Sequence, residues 1–104
     1  MPEHDFKALY DQYTAVIAQM PPTFTSHQFI LSLAQQNQRA YIEALYAYRD
    51  VPRSGKTAPF MIVHGILAQH LFEYPDLIEK LSPAVKSKDI FGSDNTASEW
   101  RKKR

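Results

Sequence analysis

Residues 82–104 read SPAVKSKDIFGSDNTASEWRKKR, and here the helical period that runs through the rest of the chain is lost. Val85 to Phe91 could form a short strand, and Gly92-Ser93-Asp94-Asn95 is a turn signal. Beyond the turn two readings compete. Thr96 with Glu99 three residues later matches a capping box, which would open a short helix carrying Trp100. Alternatively the chain returns as the second strand of a β-hairpin with Trp100 on it. Arg101-Lys102-Lys103-Arg104 reads as a basic C-terminal tail. The fold expected from the whole chain is mainly α. It is a single helical domain of four to five helices over residues 1–104, with room for a small β element after residue 82.

Moving toward the N-terminus, residues 58–74 carry the apolar stripe of a helix, with Phe60, Val63, Leu67 and Leu71 inward and Ile62 and Ile66 widening it. Pro59 suits its first turn and Pro75 ends it. The helix is followed by Asp76 to Leu81, read as one further turn. It is preceded by a loop, residues 50–57, rich in turn formers. Upstream, Thr25 and Gln28 form a capping-box pattern that opens a helix near Ser26. Phe29, Ile30 and Leu33 face inward. After the polar run Gln35 to Gln38 the apolar face resumes, rotated, at Tyr41, Ala44, Leu45 and Tyr48. Two helices meeting near Asn37, or one bent helix, fit this pattern. Phe6, Leu9, Tyr10, Tyr13, Val16, Ile17 and Met20 define a first amphipathic helix, stopped by Pro21-Pro22.

A chain of 104 residues with 44% apolar and 22% charged residues suits one small soluble domain with a modest core. Thirteen aromatic residues, six Tyr, six Phe and one Trp, supply much of the apolar surface available for burial. No Cys is present, so disulfides and thiolate chemistry are excluded. The N-terminus lacks a basic-then-apolar leader, and no apolar run approaches the roughly 20 residues of a membrane span. A cytoplasmic location without membrane contact is expected. The net charge of +1 is unevenly placed. Residues 1–81 hold six Lys or Arg against eight Asp or Glu, whereas residues 82–104 hold six against three.

No residue pattern points to catalysis. Ser54-Gly55-Lys56-Thr57 resembles the end of a phosphate-binding loop, but Asp50 stands where that motif needs Gly, and helix rather than strand precedes it. His64 and His70 are six apart, a spacing that does not set two metal ligands side by side on a helix. They are read as structural. No nucleophile–base pairing or Gly-x-Ser-x-Gly elbow occurs. The expectation is a protein without enzymatic activity, metal or cofactor.

The order of elements resembles a winged helix-turn-helix domain of the kind found in bacterial restriction and transcription proteins. The resemblance rests on residues 38–92: a helix at 38–49, a basic loop, Gly55-Lys56-Thr57-Ala58-Pro59 leading into the helix at 58–74, then a strand-like basic segment. It implies duplex DNA as partner and the 58–74 helix as the element entering the major groove. Arg49, Arg53, Lys56, Lys86, Lys88, Arg101, Lys102 and Lys103 would meet phosphates, and Gln69 would read a base. The 58–74 helix itself contains no Lys or Arg. The other expectation is therefore a protein-interaction module, as a homodimer or with a different protein, using the outer face of that helix: Met61, Gly65, Ala68 and Phe72.

Overall fold

A computed structural model of the chain describes residues 5–50 and 59–103. In order along the chain come α1 (Lys7–Tyr10), α2 (Tyr13–Gln19), β1 (Thr23–Thr25), α3 (Ser26–Gln36), α4 (Gln38–Ala47), α5 (Pro59–His70) with a 3-10 turn (Leu71–Glu73), β2 (Ile78–Lys88) and β3 (Asp94–Lys102). The three strands form one antiparallel sheet in the order β1-β3-β2.

The fold is mixed α and β, which corrects the mainly α expectation. The sheet is larger than a small element after residue 82. It begins at Thr23–Thr25, and its longest strand starts at Ile78. Asp76 to Leu81 is not a helical turn, since Ile78, Glu79 and Lys80 pair with Lys102, Arg101 and Trp100. Leu, Ile, Glu and Lys are acceptable helix formers, but only seven residues separate Pro75 from the next break, Pro83. So short a helix gains little on its own. Pairing with β3 gives the segment a ladder of hydrogen bonds and buries Ile78 to 2% exposure. Trp100 lies on the second strand of a hairpin, and residues 96–99 are strand rather than a capped helix. The basic tail is also corrected. Arg101 and Lys102 belong to β3, and the Lys103 amide donates to the Leu77 carbonyl at 2.9 Å.

The helical expectations fare better. Thr25 caps α3 through a complete capping box: its Oγ1 accepts from the Gln28 amide, and its own amide donates to Gln28 Oε1 at 2.8 Å. α3 and α4 are two helices meeting at Asn37, whose side chain donates to the Leu33 carbonyl. The first amphipathic segment is broken at Asp11-Gln12. Phe6, Leu9, Tyr13, Val16, Ile17 and Met20 are nonetheless all buried, so the face survives the break. The expected cap Thr57 lies outside the described residues.

The core is one cluster drawn from every helix and all three strands. Tyr13, Leu33, Leu67 and Leu71 are fully enclosed within it. The Tyr13 hydroxyl donates to the Leu67 carbonyl, tying α2 to α5. Trp100 pairs with Phe24 on one side and Lys80 on the other, and its indole N–H donates to Ser26 Oγ at 3.0 Å. That bond satisfies two buried polar groups at once and fixes the sheet against the start of α3.

Candidate functional site

The exposed side of α5 lies beside the β2–β3 hairpin. The hairpin turn is built by Asp89, whose Oδ1 accepts from the Phe91 and Ser93 amides at 2.9 and 3.0 Å. Gly92 completes it with φ +86°, a conformation that favours glycine. This turn holds Phe91 out from the strands and against the first turns of α5. Its ring meets Phe60 edge-on at 4.8 Å and stacks with His64 at 6.2 Å. One residue face of the hairpin turns toward the helices. Ser87 Oγ lies 3.0 Å from His27 Nδ1 at the start of α3 and 3.5 Å from Thr25 Oγ1. Lys86 and Lys88, which alternate with Ser87, are exposed on the opposite face.

Between hairpin and helix lies a cleft of about 410 Å³. Met61, Gly65 and Ala68 of α5 form one wall, and Asn95 to Ser98 of β3 form another. His27, His64 and Asp89 converge at it. His64 is buried, 8% exposed, with Nε2 2.5 Å from the Tyr41 hydroxyl. Burial is the main cause that lowers its pKa to about 4, with His27 lowering it further and Asp89 opposing. Burial likewise lowers the pKa of His27, again against the pull of Asp89. Tyr41 is pushed up to about 12 by the same desolvation. Both imidazoles are therefore neutral at pH 7. A second cleft, of about 520 Å³, lies on the other side of Gly65, between α5 and Tyr10, where Gln69, His70 and Glu73 line it. Among the described residues no group of three His, Cys, Asp or Glu is arranged to hold a metal ion.

The cations expected to meet phosphate are not gathered in one place. Lys86 and Lys88 sit near the hairpin tip, with Lys88 paired to Asp94 at 2.8 Å. Arg101 and Lys102 are at the other end of β3, roughly 20 Å from Thr96, the cross-strand neighbour of Lys86. Arg101 pairs with Glu79. The Lys102 amine donates to the carbonyls of Ala18 and Met20, both at 3.0 Å, and so caps the C-terminus of α2. Lys103 is exposed at the same end. Arg49 folds back over the Tyr46 ring at 3.7 Å and contacts Asp50. Arg53 and Lys56 lie outside the described residues. Gln69 is exposed, but on the cleft away from the hairpin, with Glu73 beside it.

Met61, Gly65 and Ala68 do come together, as one wall of the hairpin-side cleft. Phe72 is 44% exposed, packs edge-on against Trp100 at 5.0 Å, and carries the Lys80 amine over its other face. His70 stacks on Tyr10 at 3.5 Å and joins Tyr13 and Tyr74 in an aromatic group. Tyr41 was read from the sequence only as part of an apolar helix face, and His27, Ser87, Asp89 and Phe91 were not singled out as site residues. Only Asp89 had a usable signal there, an acid three residues before a turn glycine.

Comparison of the chain with protein-family models, curated proteins and solved structures gives no match. Among the described residues no helix is long and apolar enough to cross a membrane.

Proposed function

We propose that the chain is a winged-helix-like DNA-binding or regulatory module of the cytoplasm, without catalytic activity, that meets a duplex through α5 and the β2–β3 hairpin. The observation that carries this reading is the seating of the hairpin tip on the first turns of α5 through Phe91 and Phe60. A helix start and a lysine-bearing hairpin thereby stand side by side. The sheet order β1-β3-β2, with β1 between α2 and α3 and the hairpin after α5, is in keeping with a winged arrangement. Lys86 and Lys88 project from the solvent face of the hairpin and would neutralise phosphates, as would Arg53 and Lys56 just before α5 in the sequence. Arg101 and Lys102 leave this role, because they lie at the far end of β3 from the hairpin tip, where Lys102 caps the end of α2 and Arg101 pairs with Glu79. Lys88 has a pair too, but its partner Asp94 is 92% exposed at the tip and gives way to a phosphate. Gln69 also stands apart from the hairpin side. The reading is tested by fluorescence titration of a mixed-sequence duplex at several salt concentrations. Affinity should fall linearly in log–log form, and Lys86→Ala with Lys88→Ala should lower the slope by about 2 while weakening all sequences alike.

A second reading has its own observation. The outer side of α5 is apolar at Met61, Gly65 and Ala68, the 3-10 turn after it adds Phe72, and α5 itself contains no Lys or Arg. Such a surface suits a protein partner, including a second copy, better than a phosphate backbone. Sedimentation tests it: Gly65→Leu should split a wild-type dimer without unfolding the monomer, whereas a wild type that stays monomeric at high concentration removes the homodimer.

A further inference from the structure

We propose that the hairpin is latched to the helical body through an acid-sensitive cluster, His27 of α3, His64 of α5 and Asp89 of the hairpin turn, and that protonation of the imidazoles releases it. The proposal concerns hairpin docking and holds whether or not the hairpin meets DNA.

The geometry is that of a three-way junction. Ser87 Oγ reaches His27 Nδ1 at 3.0 Å. The Phe91 ring lies near-parallel to that of His64, with centroids 6.2 Å apart, while meeting Phe60 edge-on. Asp89 is buried, 9% exposed, and spends Oδ1 on the amides of Phe91 and Ser93. The same carboxylate therefore both shapes the turn and lines the cleft that the two imidazoles also line. Among the described residues the titratable groups facing this junction are His27 from α3, Tyr41 from α4, His64 from α5 and Asp89 from the turn. Lys86 and Lys88 point to the opposite face, and Lys88 is paired with Asp94.

A neutral His64 fits its buried place beside the Phe91 and Phe60 rings and bonds Tyr41. A charged one keeps poor solvation there, and a charged His27 nearby repels it. Asp89 offsets part of this cost but is too few in charge to serve two cations. The sign follows from the depressed affinity for protons. Docking is complete above the free-histidine pKa of 6.5, weakens as pH falls below it, and has lost the whole contribution of His64 below about 4. Once released, an isolated two-stranded tip is marginal in water, so its amides become open to exchange.

Native-state amide exchange on the full chain tests the latch, with protection factors taken at pH 8 and pH 5 after division by intrinsic rates. Hairpin amides from Val85 to Thr96 should open in their own event, with less protection than the amides of Ile17 and Leu33 at both pH values. With His64 held at about 4 when docked, their protection should drop up to about 30-fold between pH 8 and pH 5. In the His27→Gln, His64→Gln variant, if it folds, the drop should vanish. Hairpin protection that is flat with pH in the wild type overturns the proposal, as do hairpin amides matching the core at both pH values, or a variant that keeps the full drop.

Discussion

Leu67 shows how much a single position decides. It is wholly enclosed, and the carbonyl of the same residue accepts the Tyr13 hydroxyl, so one residue of α5 fills the core with its side chain and ties α5 to α2 through its backbone. Leu67→Ala should destabilise the protein by about 2–5 kcal/mol, since it removes packing and leaves a cavity in the core. Urea denaturation measures it, and a change below about 0.5 kcal/mol would place the residue at the surface instead. His64 sets a pH dependence at the same scale. It is neutral in the fold with its pKa near 4, against 6.5 when free, so the unfolded chain takes up the proton first. Global stability should accordingly be greatest above pH 6.5 and decline as pH falls toward 4, by up to about 3 kcal/mol from this group. His64→Gln should flatten that part of the stability curve, read from urea midpoints at pH 7.5 and 5.

At the scale of elements, the capping box and the hairpin turn make local bonds whose removal has a defined cost. Thr25→Ala leaves the Gln28 amide without its cap and should cost about 0.5–2 kcal/mol in thermal or urea unfolding. Asp89→Ala removes the acceptor of two amides and should loosen the hairpin tip, seen as faster amide exchange at Phe91 and Ser93 with little change in the helices. These elements also show what the amino-acid sequence discloses. The helices were legible because their signals are local: apolar spacing on α2, α3 and α5, Thr25 with Gln28, and the breaks at Pro21-Pro22 and Pro75. The strand Ile78–Lys88 was legible only in its last part, from Val85, because its exposed lysines, Pro83 and two register shifts obscure a period of two. Its state is fixed by Trp100 and its neighbours across the ladder, some twenty residues away. The candidate site was legible only in part. The Met61, Gly65, Ala68 wall follows from helix geometry, but the junction of His27, His64 and Asp89 joins three elements distant in sequence and depends on where the hairpin lands.

For the molecule as a whole, the placement of charge matters more than its sum. A net charge of +1 gives little long-range attraction for DNA. Several cations also have partners within the chain: Arg101 has Glu79, Lys102 the end of α2, Arg49 has Tyr46 and Asp50, and at the hairpin tip Lys88 has the exposed Asp94. On the proposed reading, binding depends on the cations grouped near the hairpin tip and before α5, not on the C-terminal run. The most direct measurement is the salt dependence of duplex binding by wild type, by the Lys86→Ala, Lys88→Ala pair, and by Lys103→Ala. The wild type should bind at low salt with a steep log–log slope. The hairpin pair should lower that slope by about 2, and Lys103→Ala should leave it nearly unchanged. A wild type that fails to bind mixed-sequence duplex even at low salt would contradict the account, as would binding that the hairpin substitutions leave intact.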